Sequence, residues 1–220
     1  MSRMINATTS GHVVIVGAGG FGREVLDIIE AINAAGGSLV FLGFVDDGEV
    51  DHELLRRRGA KLLGPTSALG DIDAGYVIGI GNGDVRRKIA AMLDSVGAAA
   101  ATLIHPAATI GGDSHLSPGC VVAAGARVTT NVHLGRHTQL HVNSTVGHDS
   151  LLHDFVSVYP GATVSGSVTL AEGVTVGTGA NVLPGLTVGA DAFVGAGAVV
   201  TRDVASTSIV VGSPAKRRNA

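Results

Sequence analysis

One cysteine, no tryptophan and an aromatic content of 3% set the first limits on this 220-residue chain. Cys120 has no partner for an intrachain disulfide. It falls at an inward place in the repeat described below, which makes it core filling and not a nucleophile. Charge is sparse, at 15% of residues with a formal net charge of −3. Basic runs such as Arg56-Arg57-Arg58 and Lys216-Arg217-Arg218 are too small for a nucleic-acid-binding face. No apolar run is long enough to span a bilayer, so no membrane partner is expected. Met1 to Gly11 is polar, lacks a signal-peptide core and is expected to form a loose tail, which points to a cytoplasmic chain. Against these absences stand 33 glycines and a hydrophobic content of 45%. Together they suit a solenoid with an interior of methyl-sized groups and glycine at its turns.

The second half carries the repeat. From Ile104 through Ile110, Leu116, Val122 and Val128 to Val200, every sixth residue is Ile, Leu or Val, without a slip. Four places after each anchor stands an uncharged small or aliphatic residue, among them Cys120, Ala126, Ser144, Ser150, Ala162 and Val204. Six is not a multiple of the 3.6-residue helical turn, so the pattern is not helical. It describes short strands joined by turns, each hexad one face of a coil. Three faces make a coil of eighteen residues, and the stretch holds about five to six coils. This register resembles the hexapeptide-repeat acyltransferases. The resemblance implies a left-handed parallel β-helix and a homotrimer with active sites between subunits, acetyl-CoA running along the coils.

The first half alternates strands and helices. His12–Val16 is a buried strand, Gly17 to Gly22 a turn, and the following helix sets Val25, Leu26, Ile28, Ile29 and Ile32 on one side. Leu39–Val45 is the second strand, residues 49–58 a short helix, Gly64-Pro65 a break, and Tyr76–Ile80 the third strand. Asp84 is placed to cap a helix of about twelve residues. The alternation argues for a small Rossmann-like α/β domain over residues 12–98, ahead of a β-helix over 104–205 and a tail over 206–220.

Gly17, Gly19 and Gly22 fit G-x-G-x-x-G between a strand and a helix, with Gly20 and Phe21 inside the motif. Amides at a helix N-terminus bind phosphate, and Asp46 or Asp47, ending the next strand, can bond a ribose hydroxyl or a base edge. A tight turn that needs glycine would look the same, and a dinucleotide is a further reading. The sheet is short for both halves of a dinucleotide fold and suits a nucleotide-sugar pyrophosphate better. With a small α/β domain joined to the repeat, the chain resembles the bacterial nucleotide-sugar acetyltransferases. That group includes the N-acetyltransferases of UDP- or GDP-linked 4-amino sugars and the sialic acid O-acetyltransferases. The resemblance runs from about His12 to Lys216. It implies that Gly17 to Gly22, Asp46-Asp47 and Gly81-Asn82 hold the nucleotide-linked substrate. Phe21 stands where family members often carry histidine.

Seven histidines lie in the repeat, and most are read as solvated or packing residues. His148-Asp149 differs, because it sits at a turn and an adjacent carboxylate can orient the ring for general-base work. One coil on lies Gly166, expected to leave open space beside the imidazole for a thioester or an amine. In the resembled enzymes, a histidine followed by Asp or Glu in this coil is the catalytic base. The resemblance therefore assigns His148 as base and Asp149 as its orienting acid. A second family histidine that helps position the acetyl group is replaced here by Ser157. A zinc site of the γ-carbonic-anhydrase type would use His148 and His153, but the third ligand place two coils earlier is Gly112, and no metal is expected.

Gly177, Gly179, Gly195 and Gly197 crowd the last coils. They are tight turns, and they also suit a smooth groove for a pantetheine arm. Gly212-Ser213-Pro214-Ala215-Lys216 resembles the family's C-terminal coenzyme A motif, which implies that Lys216 meets phosphate and that Pro214 lies near adenine. The expected activity is acetyl transfer from acetyl-CoA to the amine of a nucleotide-linked 4-amino-4,6-dideoxy sugar, by direct attack. O-acetylation of a sugar such as sialic acid is the alternative. A metalloenzyme, a nicotinamide-dependent oxidoreductase and a non-catalytic sugar-nucleotide binder are more remote. Bound metal, tight NAD binding, or binding without turnover would mark each in turn.

Overall fold

The computed structural model describes residues 11–218, so the tail expected at the N-terminus lies, but for Gly11, outside the described residues. The chain divides between His105 and Pro106 into two compact units. In the first, strands β1 (His12–Val16), β2 (Val40–Val45), β3 (Leu62–Gly64) and β4 (Gly75–Ile78) form a sheet in the order β3-β2-β1-β4, all parallel. Val13, Val14, Ile15, Phe44, Val45, Tyr76 and Val77 have no exposed surface. A strand buried on both faces gives a continuous apolar run, as in His12–Val16. Helix α1 (Gly20–Ala34) buries Val25, Leu26, Ile28, Ile29 and Ile32, the side its spacing predicts.

Two details differ from the sequence reading. Strand β3, absent from the sequence reading, precedes and ends at the Gly64-Pro65 break, and its three residues are too few to show a period. Helix α3 (Gly83–Ser95) is capped by Asn82 and not by Asp84. The Asn82 side-chain oxygen accepts from the Val85 amide at 3.0 Å, while Asp84 sits in the first turn and pairs with Arg87. Asn and Asp cap equally well, so composition alone did not choose between places two residues apart.

The second unit is a parallel β-helix. From Thr109–Ile110 to Val199–Val200, each hexad contributes a two-residue strand. Each strand pairs in parallel with the one eighteen residues on: His133 with Leu151, Gln139 with Ser157, Thr145 with Thr163. The anchors from Val122 to Val200 are buried, and most show 0% exposure. Complete burial of one such side chain is worth about 1.5–3 kcal/mol, repeated at every face of every coil. Most of the expected partners four places on, Cys120, Ala126, Ser144, Ser150 and Ala162 among them, are buried too.

The turns repeat as strictly as the strands. Every sixth residue from Asp113 to Gly197 has a left-handed backbone, with φ between 54° and 83°. Most are Gly, Asn or Asp, which take that conformation at least cost. His137 and Phe155 do so one coil apart, their rings stacked at 5.5 Å and 8°. The ladder also outlasts the hexads. Ile209–Val211 pairs with Phe193–Val194, and Lys216–Arg217 folds back antiparallel on Val210 and Val211. The segment that loses the hexad register after Val204 is thus built into the coil.

Candidate active site

His148 and Asp149 lie on the turn that follows the strand Thr145–Val146. The His148 Nδ1 and the Asp149 Oδ2 are 2.6 Å apart, and their side chains are 61% and 50% exposed. If Nδ1 carries the proton and donates it to the carboxylate, the lone pair is on Nε2. Asp149 has a φ of 60°, which brings its short side chain back to the preceding residue. Its other oxygen, Oδ1, accepts from the Asn131 amide at 2.8 Å, one coil earlier. These two bonds, that from Asn131 first, hold the Asp149 carboxyl below the usual carboxylate range.

Gly166, one coil on, does not border an empty space. A Cβ built there would stand 2.6 Å from the His148 Nε2 and 2.7 Å from its Cε1. The imidazole itself occupies the room that the missing side chain leaves. Gly166 is therefore the floor of the ring and not a vacancy for substrate. The backbone fixes the same stack, because the Asp149 amide donates to the Thr130 carbonyl and the Ser167 amide to that of His148. Nothing in the hexad spacing marks Asn131 as part of this group, since asparagine at such a turn is explained by backbone conformation alone.

In the first unit, the three glycines of the motif do different work. Gly17 has a φ of 99°, and a Cβ there would strike the Ile80 side chain at 2.6 Å. A Cβ on Gly22 would overlap the Gly17 carbonyl. Both are required by the fold. Gly19 and Gly20 are exposed and face open space, and neither has a positive φ. Helix α1 starts there with no side-chain cap and no acidic residue in its first turn, whereas Asn82 caps α3 and Asp51 caps the short helix α2 (His52–Arg57). Asp46 accepts from the Ala18 amide at 2.7 Å and from Gly48, bracing the glycine turn. Asp47 accepts from the Thr66 amide. Phe21 is half-buried. Gly81 and Asn82 follow β4, where buried Arg86 donates to the carbonyls of Ile80 and Gly81.

The residues expected to line a coenzyme groove separate. Gly177 and Gly195 are buried, and a Cβ on either would collide with the next coil, at 2.7 Å from the Val194 carbonyl and from the Val211 side chain respectively. Gly179 and Gly197 are exposed, with φ of 65° and 66° and nothing within 4 Å of a Cβ. Gly161, one coil before Gly179, has the same conformation and the same open surroundings, and extends the strip. Ser157 is wholly buried within its strand, which sets it apart from these open turns. Pro214 and Lys216 are exposed. Among the other histidines, His115 and His133 face outward with ring centroids 6.1 Å apart, and buried His141 lies edge-on to Tyr159. Among the described residues, no group of three or more His, Cys, Asp or Glu could hold a metal ion. No helix among them is long and apolar enough to cross a membrane.

Residues 12–93 match the family model of the PglD N-terminal domain. The chain is 30% identical over 164 residues to a GDP-perosamine N-acetyltransferase of Escherichia coli O157:H7, and the match covers 72% of each protein. Among solved structures it is similar to PerB from Caulobacter crescentus in complex with CoA and GDP-perosamine, with a TM-score of 0.84 and 29% identity over 97% of this chain and 100% of that one. Perosamine N-acetyltransferase from that organism is also known with a single histidine replaced by Asn or Ala. The acetyltransferase domain of PglB from Neisseria gonorrhoeae FA1090, in complex with acetyl coenzyme A, matches with a TM-score of 0.84 and 32% identity over 94% and 98% of the two chains. These likenesses take in both the parallel sheet and the coils, whose hand is left. With its small parallel α/β unit and its left-handed β-helix, this chain belongs to the hexapeptide-repeat nucleotide-sugar acetyltransferases.

Proposed function

We propose that the protein transfers the acetyl group of acetyl-CoA to the amine of a nucleotide-linked amino sugar, with His148 as general base. The observation that carries this reading is the exposed His148–Asp149 pair, held at 2.6 Å through Nδ1, which leaves Nε2 for the proton transfer. The amine lone pair attacks the thioester carbonyl carbon and forms the new C–N bond. The carbonyl electron pair moves to oxygen, and Nε2 takes the proton that the amine loses. As the carbonyl re-forms, the C–S bond breaks, and the thiolate of coenzyme A takes the proton back from the imidazolium. The products are the N-acetyl sugar and coenzyme A. Asp149, ionised across the neutral range, keeps the Nδ1 proton in place and stabilises the imidazolium. Direct attack is supported by Cys120: burial pushes its thiol up to about 12, so it offers no thiolate for an acyl-enzyme.

The first unit holds the nucleotide. Its uncapped α1 N-terminus, with open Gly19 and Gly20, suits a pyrophosphate, and Asp46 and Asp47 suit a ribose or a base edge. The exposed strip Gly161, Gly179 and Gly197 suits a pantetheine arm, and Lys216 a phosphate. This strip and His148 lie at different corners of the triangular coil, separated by the face that carries Thr145–Val146 and Thr163–Val164. A homotrimer, in which one subunit's glycine corner meets its neighbour's histidine corner, completes the site. Outward Leu151 and Leu183, 39% and 41% exposed, suit such a contact. The reaction belongs in the cytoplasm, where acetyl-CoA is available.

GDP-perosamine is the first acceptor to test, since relatives from two organisms are named for it. Incubation with acetyl-CoA and a panel of GDP-, UDP- and dTDP-linked 4-amino sugars, read by mass spectrometry, should show one acetyl group added to one member of the panel. Acetyl-CoA binding with no N-acetyl product on any member would turn the reading to O-acetylation. Failure to bind acetyl-CoA would end it.

A further inference from the structure

We infer that Asn131 is a positioning residue of the reaction, which acts on His148 through Asp149 from the coil below. The inference rests on His148 being the base. Asp149 has two oxygens with divided duties: Oδ2 meets the His148 Nδ1 at 2.6 Å, and Oδ1 accepts from the Asn131 Nδ2 at 2.8 Å. A carboxylate on a single bond to the ring can swing about its last side-chain torsion. The second bond, from a separate coil, stops that rotation and aims Oδ2 at the ring.

Backbone geometry lets this work. Asn131 and Asp149 have left-handed φ of 54° and 60° at equivalent turns one coil apart, so their side chains leave the coil in the same direction. The coils hold that register through the bond from the Asp149 amide to the Thr130 carbonyl and that from the Asn131 amide to the Gly112 carbonyl. The Thr130 hydroxyl also donates to the Gly112 carbonyl at 2.9 Å. Asparagine suits both requirements, since it tolerates the left-handed region and carries an N–H₂ donor. Aspartate in its place would keep the backbone and present a like charge to Asp149. The neighbouring coils offer Asp149 only neutral groups: Thr130 and Asn131 before it, Gly166 and Ser167 after it. His148, on its own turn, is the titratable group it touches. The bond from Asn131 is the largest single cause of the lowered carboxyl of Asp149, which agrees with this arrangement.

The test uses the full-length protein and two variants, Asn131→Gly and Asn131→Asp. Glycine removes the donor and takes the same φ without strain. For both, kcat should fall by about 10-fold or more, the scale set by a hydrogen bond to a charged group. The KM values for acetyl-CoA and the sugar nucleotide should stay near wild type, and the acid limb of the kcat–pH profile should move to higher pH. Carbon-13 titration of the Asp149 carboxyl, which needs no turnover, should show its pKa rise in both variants, more in Asn131→Asp. An unmoved Asp149 titration overturns the positioning role. So does an unchanged kcat and pH profile in a protein whose His148→Ala variant is inactive. If His148→Ala retains turnover, the base reading fails and the catalytic role of Asn131 falls with it, whatever the titration shows.

Discussion

At the scale of single residues, the site is a short column of side chains that belongs to no single strand. Gly166 lies against one side of the imidazole, and the carboxylate of Asp149, braced by Asn131, holds Nδ1. Gly166→Ala would put a methyl 2.6 Å from Nε2, so the ring must turn away from its carboxylate. A loss of about 10²-fold in kcat is expected, the scale of a reacting group displaced by about an ångström. Steady-state kinetics should show it with the melting temperature little changed. Normal kcat in this variant would show that the ring has another productive orientation. Acid pH bears on the same column. The folded-state pKa of Asp149 lies below its unfolded value. The bonds it makes therefore stabilise the fold at pH above the usual carboxylate range, and this stabilisation is lost as pH falls through the lowered value.

At the scale of elements, the coil is set by what each hexad place permits. Gly177 shows how tightly. A Cβ there would stand 2.7 Å from the Val194 carbonyl and 2.8 Å from the Ala196 amide, both backbone atoms that cannot swing aside. Gly177→Ala is expected to destabilise by about 1–3 kcal/mol, the cost of overpacking, seen as a lowered midpoint in urea unfolding. An unchanged midpoint would show that the stacked coils separate more easily than their close packing implies. The same logic explains what could be foreseen. The aliphatic anchors, the inward place of Cys120 and the strand–glycine–helix start all follow from spacing, because side-chain direction in a strand or coil is fixed by count. Gly177 and Gly195 stand one place after an anchor and Gly179 and Gly197 three places after, at the corner, yet the room around each is not written in the letter. Space decides between them, and space is set by the next coil. The pairing of Asn131 with Asp149 crosses eighteen residues and needs the coil itself. Likewise β3 was too short to carry a period, and the strand Ile209–Val211 joins the ladder two residues early, out of hexad step.

At the scale of the whole molecule, the proposed function divides the task between the two units, with the nucleotide assigned to the first and the proton transfer and thioester to the second. His148 and the glycine strip sit at different corners of the coils, which is why the proposed site calls for a neighbouring subunit. Sedimentation equilibrium should report a trimer at micromolar concentration. Substituting the outward leucines, as in Leu151→Glu, should lower both the assembly state and the turnover. A fully active monomer would contradict the shared site. The reading as an acetyltransferase rests on its relatives and on the site together, since the β-helix scaffold alone hosts several chemistries.

The most direct test of the central claim is coenzyme A release from acetyl-CoA and the accepted sugar nucleotide by wild type beside His148→Ala. A base that acts only in the transition state predicts a fall in kcat of about 10²- to 10⁴-fold, with both substrates still bound. A His148→Ala enzyme that keeps its kcat would contradict the account.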